Sequence, residues 1–243
     1  MSKLFAIIAA LVLGMSVSAA ALEVVVGTNA EFPPFEFTDD ADAIVGYDID
    51  IVTAIGKAAG FEVKMQHQAF DTLIAGLETD KLDAVASGMT ITDARKEKIN
   101  FSDPYYNAAQ VIVVQEKTPG YTKIEDIKNS KVGVQLGTTG AGMAEEVMGE
   151  TNPDLKQFRK YNEVFTDLSL GRIDAIVVDL PVAQAYLRRI DGLRISSEPM
   201  SQEEYGIGVK KGNQALLDLI NEGLAKIRAS GEYEQITDKW FRD

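Results

Sequence analysis

The stretch Asp80-Lys81-Leu82-Asp83-Ala84-Val85-Ala86-Ser87-Gly88-Met89-Thr90-Ile91-Thr92-Asp93-Ala94-Arg95 sets the plan of this chain. Leu82 to Ala86 is a short apolar run between polar residues and reads as a buried strand. Thr92 stands where an N-cap belongs, ahead of a helix holding Asp93 to Lys98. Ser87, Gly88 and Thr90 therefore lie just past a strand end, where hydroxyls and free backbone N–H groups can face a ligand. Arg95 follows one helical turn later. Its permanently charged guanidinium matches a carboxylate with two parallel hydrogen bonds. The group reads as a carboxylate clamp; the competing reading is a surface arginine after a polar turn.

Nearly the same phrase returns at Gly171-Arg172-Ile173-Asp174-Ala175-Ile176-Val177-Val178-Asp179. Both copies have a helix end, a basic residue, an apolar residue, Asp-Ala and an apolar strand. Two lobes of similar build are implied, with Ser87 at one strand end and Asp179 at the other. Ligands of open α/β sheets bind beyond the carboxyl ends of strands. Asp179 is thus either a ligand group or the N-cap of a helix opening at Pro181.

Strands and helices alternate around these phrases, which indicates βα units and a mainly parallel sheet. Val24 to Thr28 is the first strand. The loop Asn29 to Phe35 is stiffened by Pro33 and Pro34, with Phe32 as a binding wall and Phe35 as a core residue. Ile49, Val52, Ile55 and Ala59 form a helical stripe that Gly60 ends. Phe61, Val63 and Met65 alternate as a strand. Phe70 precedes a helix through Leu73, Ile74 and Leu77, where a hydrophobic staple would suffice to explain it. The pattern restarts with strands Val111 to Gln115 and Val132 to Gln135, a short helix from Ile124 to Ile127 between them. Leu136-Gly137-Thr138-Thr139-Gly140 follows, opening a helix over Met143 to Met148. That turn offers hydroxyls and backbone at a helix N-terminus, or a plain cap. A strand is expected over Phe158 to Tyr161, with Asn162 capping a helix to Leu170. The tail reads as a strand from Tyr205 to Val209 and helices from Asn213 to Arg228 and from Tyr233 to Phe241.

Composition narrows the function. Residues 1 to 21 have a basic start at Lys3, an apolar run and small residues at Ser18-Ala19-Ala20-Ala21, the form of a secretory signal peptide. No later segment has the ~20 apolar residues of a membrane span. The 243 residues include no cysteine, which excludes disulfides and a lipid-modified cysteine anchor. The net charge of −13 disfavours nucleic acid and anionic membranes as partners. His67 is the only histidine, so neither a Ser-His-Asp device nor a histidine metal cluster can be assembled.

Taken together, the stretches Gly27-Thr28-Asn29-Ala30-Glu31-Phe32-Pro33-Pro34-Phe35-Glu36-Phe37, Gly46-Tyr47-Asp48-Ile49-Asp50, Asp83-Ala84, Met89 to Arg95, Phe101-Ser102-Asp103-Pro104-Tyr105-Tyr106, Gly137-Thr138-Thr139-Gly140 and Gly231-Glu232-Tyr233 carry a resemblance. The chain resembles the periplasmic substrate-binding proteins of ABC-type polar amino-acid importers, the group with lysine/arginine/ornithine-, histidine- and glutamine-binding proteins. The resemblance implies an α/β fold of periplasmic binding protein type II: two lobes joined by two crossing strands, the ligand cleft between them. One lobe would be 22–107 plus 201–243 and the other 108–200, with crossings near Tyr106–Gln110 and Met200–Tyr205. It implies no cofactor and no metal. The partners would be a free L-amino acid and an inner-membrane ABC permease, the protein itself being a periplasmic monomer.

Carried over residue by residue, the resemblance pairs Arg95 with the ligand α-carboxylate, aided by backbone N–H of Thr90 and of Thr138 or Thr139. It sends the α-ammonium to Asp179, the Ser87 or Thr90 hydroxyl and the Gly88 carbonyl. Phe32 and Phe70 would sandwich the ligand side chain, with Gln135 at its far end. Many members with basic or glutamine ligands are acidic where this chain has Asn29, which offers an acceptor without counter-charge. Two aromatics with amide groups favour a planar side chain, arginine ahead of glutamine. The other reading on the same scaffold is a dehydratase of prephenate or arogenate type, with Asp179 or Glu31 as the acid. A membrane-bound receptor ectodomain would need an anchor after Asp243.

Overall fold

The computed structural model describes residues 22–242, so the expected signal peptide lies outside them. Two five-stranded sheets carry the two lobes, and they have the same plan. In the first, the order is Phe61–His67, Leu22–Thr28, Ala84–Val85, Gly208–Lys210, Ile99–Phe101. In the second it is Leu155–Phe158, Val132–Gln135, Ala175–Asp179, Gln110–Gln115, Leu193–Ile195. The first three strands of each are parallel and the fourth is antiparallel.

The repeated phrase of the sequence has one structural job in both lobes. The Asp83 N–H donates to Val25 O, and its carboxylate accepts from Val25 N–H at 2.8 Å. The Asp174 N–H donates to Lys131 O, and its carboxylate accepts from Lys131 N–H at 2.8 Å. Each Asp-Ala thus pins a new strand to the parallel strand beside it, with Ala84 opposite Val26 and Ala175 opposite Val132. The apolar residue before it is a plug. Leu82 crosses against Gly27 and Ile173 against Gly133, and a Cβ at either glycine would collide with it. Both plugs are buried.

The chain leaves the first sheet after Ile99–Phe101, runs through Tyr106–Ala108 and enters the second at Gln110–Gln115. It returns through Glu203–Tyr205, which pairs antiparallel with Tyr106–Ala108. This two-stranded ribbon joins the lobes. Phe35, fully buried, packs against Tyr106, Tyr205 and Phe241 with ring centroids 4.8, 5.1 and 5.5 Å away and braces the ribbon.

Three expectations are corrected. The strand expected at Phe158–Tyr161 lies at Leu155–Phe158, because pairing with Val132–Gln135 runs from Leu155 to Phe158. Tyr161 is instead the first residue of a helix, Tyr161–Ser169, and turns inward against Phe32. The tail strand is two strands, Glu203–Tyr205 and Gly208–Lys210, because the chain changes from ribbon to sheet at Gly206 and Ile207. The stiff loop at Asn29 contains part of a small sheet of Glu31–Phe32, Glu36–Thr38 and Ile44–Val45.

Candidate functional site

A small cavity lies between the lobes. Its walls contain all eleven residues expected from the sequence, Asn29, Phe32, Phe70, Ser87, Gly88, Thr90, Arg95, Gln135, Thr138, Thr139 and Asp179, together with Glu36. The first lobe contributes the residues up to Arg95 and the second contributes the rest.

The helix Asp93–Lys98 is capped by the Thr92 hydroxyl, which accepts from Arg95 N–H at 3.2 Å. This orients the Arg95 side chain inward, and only 9% of its surface remains exposed. Its guanidinium donates to Thr90 O at 2.8 Å and, across the cleft, to Gly137 O at 3.0 Å. It also lies 5.4 Å from the centroid of the Phe70 ring. Burial lowers the Arg95 pKa, opposed by the charges of Glu203 and Asp179. The surface-arginine reading is thereby removed. Phe70 packs against the cluster that holds Leu73 and Leu77 and lines the cavity.

Phe32 is held by Phe35 and Tyr161, with centroids 5.7 and 5.4 Å away. Gly88 has φ +50°, and a Cβ there would come within 2.6 Å of the Phe32 ring, so the wall admits only glycine without a shift. The Gly88 N–H donates to Asp48 at 2.7 Å, as does the Tyr105 hydroxyl at 2.6 Å. Ser87 accepts from Asn29 N–H and donates to Glu36 at 2.8 Å. Asn29 and Gln135 meet directly across the cleft, Gln135 Nε2 donating to Asn29 Oδ1 at 2.9 Å. The lone histidine is structural: His67 Nδ1 accepts from Ala30 N–H at 3.0 Å.

On the second lobe, Thr138 caps the helix Thr139–Met148, accepting from Ala141 N–H at 3.1 Å. The N–H groups of the helix's first turn, at Thr139 and Gly140, have no intrahelical acceptor and form an anion-attracting end. Asp179 precedes the helix Leu180–Leu187 without capping it. Its carboxylate accepts instead from the Tyr205 hydroxyl at 2.6 Å. Burial, then the charge of Glu203, pushes the Asp179 pKa up to about 7. Asp48 is pushed to about 6, mainly by burial, and Glu36 well above the ordinary carboxylate range by burial and the nearby Asp48.

Glu36 is the wall residue that the sequence reading passed over. Its Oε1 accepts from Ser87, and its carboxyl group lies beside that of Asp48, with which it hydrogen-bonds when one of the two holds a proton. The available signal was a charged residue set between two aromatics, Phe35 and Phe37, where strand alternation turns it to the opposite side from Phe37. The cavity thus opposes one buried guanidinium to two buried carboxyl groups.

Residues 24–243 match the bacterial extracellular solute-binding proteins, family 3. The chain belongs to that family. The binding protein is 37% identical over 220 residues to a probable histidine-binding protein of Neisseria gonorrhoeae, covering 89% of this chain and 82% of that one. It is 35% identical over 243 residues to ABC transporter arginine-binding protein 1 of Escherichia coli (strain K12), covering 97% and 98%. Its fold superposes on an ancestral arginine-binding protein bound to arginine with a TM-score of 0.87 at 42% identity, covering 90% and 98%. This is the type II periplasmic binding protein architecture, and the family's function is extracytoplasmic solute binding for ABC transport. Among the described residues, no helix is long and apolar enough to cross a membrane.

Proposed function

We propose that this binding protein captures L-arginine ahead of L-glutamine by closing its two lobes, and delivers it to the permease of an ABC importer. The observation that carries the reading is the set of ionisable groups in the cavity wall: Arg95, Asp179 and the buried Glu36. An α-amino acid offers its carboxylate to Arg95 and its ammonium to Asp179. One carboxyl group then remains, and the arginine guanidinium answers it charge for charge. Flat walls at Phe32 and Phe70 favour a planar cation over a compact ammonium. Glutamine fills the same space but requires Glu36 to hold its proton.

In this reading the free N–H groups of the Thr139–Met148 helix end and the Thr90 backbone complete the carboxylate site. Ser87, Thr90 and Gly88 assist the ammonium, and Asn29 with Gln135 closes the far end. The moving bodies are 22–107 with 201–243 and 108–200, hinged on the ribbon. The protein works as a periplasmic monomer, exported by a cleaved signal peptide without a lipid anchor, and performs no chemistry on its ligand. The raised pKa of Asp179 follows from burial and the neighbouring Glu203 and calls for no acid role.

Isothermal titration of the purified protein with the twenty amino acids tests this. Arginine is expected to bind most tightly, and Arg95→Ala to lose at least about a hundredfold in affinity, as expected for removing a buried charge-assisted pair. No binding at millimolar concentration of any amino acid overturns the proposal.

A further inference from the structure

The ribbon between the lobes holds a carboxylate that does not line the cavity. Glu203 Oε2 accepts from the Thr90 hydroxyl at 2.7 Å and from the Thr139 hydroxyl at 2.9 Å. Its Oε1 accepts from the Ser201 hydroxyl at 3.1 Å. Thr90 belongs to the first lobe and Thr139 to the second. The two bonds are not equivalent. The Thr90 segment is fastened to the return strand whatever the lobes do: Thr90 bridges Tyr205, and Ile91 N–H donates to Glu204 O at 2.8 Å. Thr139 opens the helix Thr139–Met148 of the other lobe, and its hydroxyl also accepts from Gln110 Nε2 at 3.2 Å. Thr139 is thus the second lobe's contact with this carboxylate, while the Thr90 segment is held to the return strand by backbone bonds as well.

We propose that Glu203 is a positioning residue that ties lobe closure to carboxylate capture: its carboxylate gathers the Thr90 and Thr139 hydroxyls, and so brings together the two backbone segments that clamp the ligand carboxylate. This rests on the amino-acid reading of the site for its ligand, but the closure tie itself acts without one. A carboxylate is the effective group here, because hydrogen bonds to an ionised acceptor are shorter and stronger than neutral ones. Glu203 also faces Arg95 electrostatically. Its removal therefore has two effects of opposite sign. It relieves repulsion on the ligand carboxylate, and it loosens closure. Only the second depends on the Thr139 hydroxyl, so a double-mutant cycle separates them.

The test uses Glu203→Gln, Thr139→Val and the double variant, in the full protein. Arginine dissociation is followed by stopped flow. The chain has no cysteine, so Lys57→Cys and Glu150→Cys, both exposed, take a fluorophore pair that reports the lobe separation of single molecules. Each single variant is expected to speed dissociation about tenfold and to lower the closed fraction of ligand-free protein by a similar factor, with little further change in the double variant. Additive effects, or unchanged dissociation and closed fractions, overturn the proposal. If Glu203→Gln does not fold, Thr139→Val alone decides by the same two readouts. If the wild type binds no amino acid, the arginine reading fails, while the closed fraction of ligand-free molecules still decides the role of Glu203.

Discussion

Glu36 and Asp179 illustrate how much a single side chain depends on what surrounds it. Both are ordinary acids in the sequence, and burial raises the pKa of both, Asp179 to about 7. A bound ammonium and guanidinium favour their ionised forms, so binding below about pH 7 releases protons. The affinity for arginine is therefore expected to rise with pH between about 5 and 8, by up to about tenfold per unit for each carboxyl that ionises on binding. The stability of the ligand-free protein runs the other way. A folded pKa raised from 3.8 to about 7 stabilises most below the unfolded value, and that contribution is lost as pH rises toward 7. Titrations at pH 5.5 and 8 in buffers of different ionisation enthalpy measure the released protons. A flat affinity with no proton release contradicts the assignment. Glu36→Gln is expected to weaken arginine by ten- to a hundredfold and to leave glutamine nearly unchanged, since only arginine uses the carboxylate charge.

At the level of elements, the repeated phrase was visible in the sequence and its physical job was not. Spacing alone showed Asp-Ala ahead of an apolar strand twice. The structure shows that each aspartate caps the start of the neighbouring strand and that Leu82 and Ile173 fill the space left by Gly27 and Gly133. Ile173→Ala is expected to cost about 2–5 kcal/mol of stability in urea unfolding, because the plug is fully enclosed. Arginine affinity should change little, since Ile173 does not line the cavity. A large loss of affinity with unchanged stability would mean that the plug shapes the site. The misplaced strand at Phe158–Tyr161 has a similar lesson. Phe158, Lys160 and Tyr161 fit either a strand end or a helix start, and register with Val132–Gln135 made the choice.

Across the whole molecule, the closed cleft is rimmed by charges of opposite sign on the two lobes. Lys160 pairs with Glu31 at 3.1 Å and Arg159 with Asp71 at 3.7 Å, the bases on the second lobe and the acids on the first. Both bases are largely exposed, so each pair is worth under about 1 kcal/mol and is screened by salt. Lys160→Ala is expected to weaken arginine less than about fivefold, with the difference vanishing at about 1 M salt. An effect as large as that of Arg95→Ala would move the weight of closure from the cavity to the rim. The shorter cross-cleft contacts lie deeper, buried or part-buried: Arg95 to Gly137 O, Gln135 to Asn29 and Thr139 to Glu203.

The amino-acid sequence determined by itself the two-lobed α/β plan and its internal repeat, and pointed to the residues that line the cavity. Those features rest on local periodicity, capping and turn chemistry, and on motifs short enough to read along the chain. Tertiary structure decided which carboxyls lose their water. Glu36 and Asp179 became cavity walls, Asp48 a buttress and Glu203 a tie between lobes, because desolvation and hydrogen-bond partners come from segments far away in the chain. It also decided the fate of Asp179, which could have capped its own helix and instead accepts from Tyr205, a residue of the ribbon. A side chain's neighbours along the chain limit its conformation, but its charge state and its partner are set by the solvent it loses when the lobes meet.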